Sequence, residues 1–239
     1  MIEFRAAAVV APTPDGETTV LHPTTLTLTE RRISIIGANG SGKSTLARLI
    51  NGLVEPSSGA VQLTPEGGGA ALDTRANGAA VRRAVGFVFT DPAAQLIMPT
   101  VLEDVALSLR RRIRAKAERN DAARAVLERF GLAALAERSV HTLSGGQKQL
   151  LAIATVLATE PEIVVADEPT TLLDLRNAIR IGDLLLGIPQ QLVVVTHDLE
   201  LAARADRTLV IANGRVAFDG PPADAIAHYR SWAAAEPAP

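Results

Sequence analysis

The run Gly37-Ala38-Asn39-Gly40-Ser41-Gly42-Lys43-Ser44 has the residue types and spacing of a loop built to wrap phosphate. Its glycines let backbone N–H groups turn inward, and a helix starting at its end adds a partial positive charge. Lys43 is expected to reach the β- and γ-phosphates of a nucleotide and Ser44 to ligate Mg²⁺, with Thr45 completing the ATP-binding set. A chance glycine-rich turn would have to match every fixed position and both flanking elements. Downstream, Ile163-Val164-Val165-Ala166-Asp167-Glu168 ends an apolar run in two adjacent carboxylates. Strand alternation sends neighbouring side chains to opposite sides, so Asp167 is assigned to Mg²⁺ and Glu168 to the attacking water as general base. Their plainer reading is a pair of carboxylates capping the turn at Pro169-Thr170. His197 follows a second apolar run and can hydrogen-bond a γ-phosphate oxygen; His22, His141 and His228 have no comparable setting.

The elements that must position these groups alternate along the chain. Residues 2–9 and 18–29 read as β-strands around a turn at 12–16, an antiparallel edge. Residues 32–36 form a short apolar strand before the loop, and residues 43–50 have helical spacing with a stop at Gly52. The glycine- and alanine-rich stretch 65–80 reads as a surface loop. From 99 to 141 the pattern is helical, with Asn120 or Asp121 as a cap and Gly131 as a stop. Helices are expected at 146–159 and 175–186, buried strands at 163–166 and 192–196, and a β-turn-β unit around Ala212-Asn213-Gly214. The tail 233–239 reads as frayed. Alternating strands and helices imply an α/β fold with a mainly parallel core sheet.

Composition narrows the classes. The 239 residues carry 24 basic and 26 acidic side chains, which offers no field to attract nucleic acid. There is no cysteine, so disulfides, thiolate metal sites and thiol catalysis are excluded. No apolar run approaches the ~20 residues a membrane helix needs. Residues 1–5 lack a secretory signal's basic start, so a cytoplasmic location is expected.

Leu143-Ser144-Gly145-Gly146-Gln147 narrows the class further, although its plain reading is a helix N-cap with Ser144 and Gln147 as a capping box. Taken with the phosphate loop, the 163–168 carboxylates, Thr171-Leu172-Leu173-Asp174 and His197, in that order and spacing, it resembles the nucleotide-binding domain of ABC-type ATPases. The resemblance implies a P-loop NTPase fold with an N-terminal antiparallel β layer and a helical ABC-specific subdomain. One domain would span 1–237, with 1–90 and 160–237 as core and 91–159 as the helical and signature part. It also implies ATP and Mg²⁺ as cofactors and catalytic roles for Lys43, Glu168 and His197. A second ABC ATPase subunit, identical or not, would contribute Ser144, Gly145, Gly146 and Gln147 to ATP held by residues 37–45. Asp174 would serve communication between the subunits, or simply cap the helix at Leu175.

Two positions depart from that pattern. Where most relatives have a glutamine contacting Mg²⁺ or water, this chain has Thr90, a candidate third Mg²⁺ contact beside Ser44 and Asp167 but with a shorter side chain, and Gln95 or an ordered water are candidates to compensate. Where many have an aromatic against adenine, it has Val10, Ala11 and Pro12, which predicts weaker base contact. The segment 91–106 resembles energy-coupling-factor (ECF) ATPases, and Phe89-Thr90-Asp91-Pro92 looks most like the ATPase of biotin uptake systems. The partners so implied are a transmembrane coupling protein (EcfT-like) and a substrate-binding membrane component (BioY-like if the cargo is biotin), with the chain on the cytoplasmic face of a bacterial membrane. Nickel or cobalt uptake is the alternative within the group. A soluble ABC ATPase outside transport is the alternative of another class, against which stands the lack of a second phosphate loop or a sustained heptad run.

Overall fold

The computed structural model describes residues 1–14, 16–65 and 68–235. Its strands are β1 (Ile2–Thr13), β2 (Gly16–Leu28), β3 (Arg32–Ile36), β4 (Ser58–Leu63), β5 (Leu72–Asp73), β6 (Val85–Val88), β7 (Ile163–Asp167), β8 (Gln191–Val195), β9 (Arg207–Ala212) and β10 (Arg215–Gly220). Its α-helices are α1 (Lys43–Ile50), α2 (Gly78–Ala84), α3 (Val101–Leu109), α4 (Lys116–Arg129), α5 (Gly145–Ala158), α6 (Leu175–Gly187), α7 (Leu199–Ala202) and α8 (Pro222–Ala235).

The strands make two sheets. One is antiparallel in the order β2-β1-β4-β5; the other has six strands in the order β10-β9-β3-β8-β7-β6, parallel from β9 to β6 with β10 as an antiparallel edge. Strands β3 and β7 are buried along their whole length, as expected where both faces of a parallel sheet are covered. Their alternation divides the core. Val164, Ala166, Leu192 and Val194 join a cluster with α3, α4, α5 and α6, while Ile163, Val165, Val193 and Val195 join one with α1, β1 and β2. The parallel strands β3, β6, β7 and β8 all run the same way, so the segments after Ile36, Val88, Asp167 and Val195 emerge along one sheet edge, the usual ligand edge of an open α/β sheet.

Local differences from the sequence reading have local causes. Stretch 65–80 is not simply a loop, because β5 and the start of α2 lie in it; Gly67 falls outside the described residues. Asp73 Oδ1 accepts the Arg75 and Ala76 N–H groups, and Asn77 Oδ1 accepts that of Asp73, so these side chains make the turn that starts α2. Asn120 and Asp121 lie inside α4 rather than capping it, since the helix begins at Lys116. Helix α8 continues to Ala235 through part of the expected frayed tail, with residues 236–239 outside the described set. The expected turn between β9 and β10 is present, with Asn213 and Gly214 at φ 48° and 69°, the left-handed pair of a tight hairpin. Among the described residues no helix is long and apolar enough to cross a membrane.

Candidate functional site

Strand β3 delivers residues 37–42 to the sheet edge, and α1 begins at Lys43. Gly37 is at φ 149°, and a Cβ there would stand 2.1 Å from the Ile211 carbonyl oxygen, so the loop can pass β9 only as glycine. No side chain caps the N-terminus of α1, which leaves its first-turn N–H groups available to an anion. Lys43 is buried, its Nζ donating to the carbonyls of Gly37 (2.9 Å) and Ala38 (2.8 Å). Burial pushes its pKa down, while the carboxylates of Glu168 and Asp167 pull the other way. Ser41 Oγ is buried without a hydrogen-bond partner. The cleft here measures about 240 Å³ and is lined by residues 39–45 with Val20, Glu168 and His197.

Asp167 ends β7 and is 1% exposed. Ser44 Oγ donates to its Oδ1 at 2.8 Å, Arg48 Nη2 to its Oδ2 at 3.0 Å, and Thr90 Oγ1 to its main-chain oxygen at 2.8 Å. The Ser44 hydroxyl and the Asp167 carboxylate are hard oxygen donors of the kind Mg²⁺ takes, and they sit beside a loop suited to phosphate. The residues present therefore fit Mg–ATP.

Glu168 does not continue the strand. Its φ is 53°, in the left-handed region that non-glycine residues rarely occupy, so its direction comes from this backbone turn and not from strand alternation. Its N–H donates to the Val195 carbonyl at 2.9 Å, and its Oε2 accepts from Thr171 Oγ1 (2.9 Å) and the His197 N–H (3.3 Å). His197 Nε2 lies 2.9 Å from Oε1, close enough for an ion pair when the imidazole is protonated but not aligned as a hydrogen bond, so Oε1 is buried beside the ring without a hydrogen-bond donor.

The signature residues form a second group. Ser144 caps α5 in a full capping box with Gln147, and Asp174 caps α6, accepting the Asn177 N–H at 3.0 Å and its Nδ2 at 2.7 Å. Ser144, Gly146 and Gln147 line a different cavity, of about 220 Å³, with Asn177 and Arg180. A Cβ on Gly146 would come within 2.7 Å of the Asn177 side chain, which would have to shift to admit it. The chain thus brings residues 39–45, Glu168 and His197 into one cleft, with Asp167 hydrogen-bonded to Ser44 of that set, while Ser144, Gly146 and Gln147 line another cavity.

Gln95 does not compensate for Thr90. Its Nε2 donates to the Ala152 carbonyl (3.1 Å) and its Oε1 accepts the Phe89 N–H (3.4 Å), which ties the amide to α5. Val10, Ala11 and Pro12 do not line the ATP cleft; Val20 of β2 does. Sequence reading missed Val20 and Arg48, and it quoted Thr171 in the run before Asp174 without giving it a role. Of the two missed residues only Arg48 carried a signal, lying four residues after Ser44 and so on the same face of α1.

With this geometry in view, comparison with known proteins identifies the class: the ABC transporter family matches residues 21–171, and the chain belongs to it. It is an ATP-hydrolysing ABC ATPase of a transporter. Across 98% of its length it is 46% identical to the biotin transport ATP-binding protein BioM of Rhizobium etli, covering 99% of that protein. Among solved structures it is similar to the ATP-binding cassette MJ0796, a dimer in a post-hydrolysis state bound to ADP and Pi (TM-score 0.82, 30% identity, 93% of this chain and 99% of that one). It is also similar to cbiO1 of Clostridium perfringens, part of the ABC transporter complex cbiONQ (TM-score 0.77, 29% identity, 96% and 92%).

Proposed function

We propose that this chain is the energy-coupling ATPase of an ECF-type membrane uptake transporter, with biotin as the favoured cargo. The observation that carries the reading is full-length similarity, 46% identity over 98% of the chain, to a biotin transport ATP-binding protein, together with a nucleotide cleft whose loop, carboxylates and histidine are all intact. In this reading residues 37–45 and the N-terminus of α1 bind the phosphates, and Lys43 leaves the Gly37 and Ala38 carbonyls for a phosphate oxygen. Ser44 and Asp167 hold Mg²⁺, which supplies charge neutralisation on the β- and γ-phosphates. Glu168, which lines the cleft, accepts the proton of the attacking water on its carboxylate. His197 orients Glu168 through its N–H and reaches the γ-phosphate through its ring. Thr90 acts on the metal side only through the main chain of Asp167.

Ser144, Gly145, Gly146 and Gln147 serve the ATP of a second ATPase subunit, a reading supported by Ser144, Gly146 and Gln147 lining a cavity other than this chain's own cleft, and Asp174 works at the same interface. Segments 1–90 and 160–237 act as the core and 91–159 as the part that passes closure to an EcfT-like coupling protein, a BioY-like component binding the cargo at the cytoplasmic membrane.

Glu168→Gln is expected to slow hydrolysis by about 10²–10⁴ while nucleotide binding persists, as for loss of a general base. Normal turnover by that variant would refute the assignment. Cargo is tested by uptake of labelled biotin in cells carrying the chain with the membrane subunits encoded beside it. Uptake of nickel or cobalt instead would redirect the reading to the metal-transporting branch, and an ATPase indifferent to every membrane subunit would favour the soluble class.

A further inference from the structure

Asp167 is almost fully buried, and a carboxylate so placed is costly unless it is paired and hydrogen-bonded. Its pairing comes from a single helix. Ser44 and Arg48 are four residues apart on α1, so one face of the helix presents a hydroxyl to Oδ1 and a guanidinium to Oδ2. Among the described residues Arg48 makes the one salt bridge to Asp167, because the Lys43 ammonium is turned onto the Gly37 and Ala38 carbonyls. The Arg48 side chain is not locked in place: it is 42% exposed, and its Nε is buried without a partner. It has an open path to withdraw and an unmet hydrogen bond that favours other positions.

We propose that Arg48 is a stand-in cation for the metal carboxylate, balancing Asp167 whenever Mg²⁺ is away and yielding it when Mg–ATP arrives. The inference rests on the reading that Ser44 and Asp167 hold the metal. Two cations sharing one carboxylate repel each other and divide its charge, so whatever Arg48 contributes to the metal-free protein is subtracted from metal affinity. The pairing keeps the end of β7, and with it the adjoining Glu168, ordered between turnovers. It also sets how much Mg²⁺ is needed to load the site. A purely structural salt bridge would stabilise the loaded and unloaded forms alike, and a residue that merely orients Asp167 for the metal would raise affinity. The stand-in role has the opposite sign to the second and a differential that the first lacks.

The test uses the full chain. Mn²⁺ binding in the presence of a non-hydrolysable ATP analogue is followed by the free-ion electron paramagnetic resonance signal, and thermal midpoints are measured in EDTA and in Mg–ATP. Arg48→Met is expected to tighten Mn²⁺ by about fivefold, the low end of typical coupling between sites. It should lower the midpoint in EDTA more than in Mg–ATP. Arg48→Lys should fall between the two proteins in both readouts, and Arg48→Gln, which keeps a donor without the charge, should follow Met if Met folds poorly. Unchanged or weaker Mn²⁺ binding, or equal falls in both midpoints, would overturn the proposal. Asp167→Asn separates the two levels: if it leaves Mn²⁺ affinity unchanged, the metal-site reading fails; if it weakens binding while Arg48→Met does not tighten it, only the stand-in role fails.

Discussion

Thr90 illustrates how one hydroxyl can hold the end of a neighbouring strand in order. Its hydroxyl donates at 2.8 Å to the main-chain oxygen of Asp167, which fastens the end of β6 to the end of β7 just before the left-handed turn at Glu168. A backbone held in that region costs on the order of 1–3 kcal/mol and persists only where the surroundings over-determine it. Here the restraints are the Thr90 hydroxyl, the Glu168 N–H on Val195, and the Thr171 and His197 donors on its carboxylate. Thr90→Val, which removes the donor at nearly constant volume, should lower unfolding free energy by about 0.5–1.5 kcal/mol, the worth of one hydrogen bond. Thr90→Ser should stay near the natural protein. Urea midpoints for the two variants decide it, and equal values would show that the contact does nothing for stability. The residue types of this site were legible in the sequence because phosphate, metal and water chemistry demand particular groups at particular spacings. The turn at Glu168 was not, since nothing in Ala166-Asp167-Glu168-Pro169 marks a positive φ, and alternation suggested a different route to the same divergence.

At the scale of elements, legibility followed burial. Strands β3, β7 and β8 were readable because both faces of the sheet are covered and each carries a mostly apolar run, broken only by Arg32 and Ser34 in β3, Asp167 at the end of β7 and Gln191 at the start of β8. The capping box of α5 was readable from Ser144 and Gln147 alone. Helix α2 was not, because Val81 is its one buried residue and its start depends on Asp73 and Asn77 side chains outside the helix. The cap of α4 is Ala115, five or six residues before Asn120 and Asp121, and the helix buries only Ala123 and Leu127, too little to fix a boundary by pattern. Helix α3 carries a buried acid whose role is local: Asp104 Oδ1 accepts the Ile97 and Met98 N–H groups, both at 2.9 Å, and holds the segment after Gln95 against the helix. Burial raises its pKa, partly offset by those two donors. With the folded value above the unfolded one, the native state binds more protons in the window just above pH 3.8, so this group's contribution to stability falls as pH rises through its folded pKa. Asp104→Asn keeps an acceptor oxygen and removes the charge. It should hold or raise the thermal midpoint at neutral pH and remove that acid-side dependence, whereas Asp104→Ala should cost about 1–3 kcal/mol by orphaning two amides. A steep neutral-pH loss in the Asn variant would show that the charge itself is needed.

In the proposed reading the molecule is half of a shared site, and its surface suits that role. Among the described residues, three of the six exposed large apolar side chains, Leu172 (62%), Leu175 (76%) and Ile179 (54%), fall within eight positions around Asp174. Leu175 and Ile179, four residues apart, lie on one face of α6, and Leu172 lies in the turn before it. That face adjoins the signature, since a Cβ on Gly145 would lie 3.9 Å from the Leu172 carbonyl oxygen. A surface that exposes large aliphatic groups next to the glycine turn assigned to a partner's ATP is suited to burial against a second subunit when ATP closes the pair. Full burial of a Leu or Ile side chain contributes about 1.5–3 kcal/mol, and each 1.4 kcal/mol is a tenfold change in association. Replacing Leu175 and Ile179 together by Asp, in a Glu168→Gln background that retains ATP, should therefore weaken ATP-dependent dimerisation at least about tenfold in sedimentation velocity. ATP binding to the monomer should not change, because neither side chain lines the nucleotide cleft. Dimerisation that survives both charges would move the closing surface away from α6 and leave the signature turn and Asp174 to carry it alone.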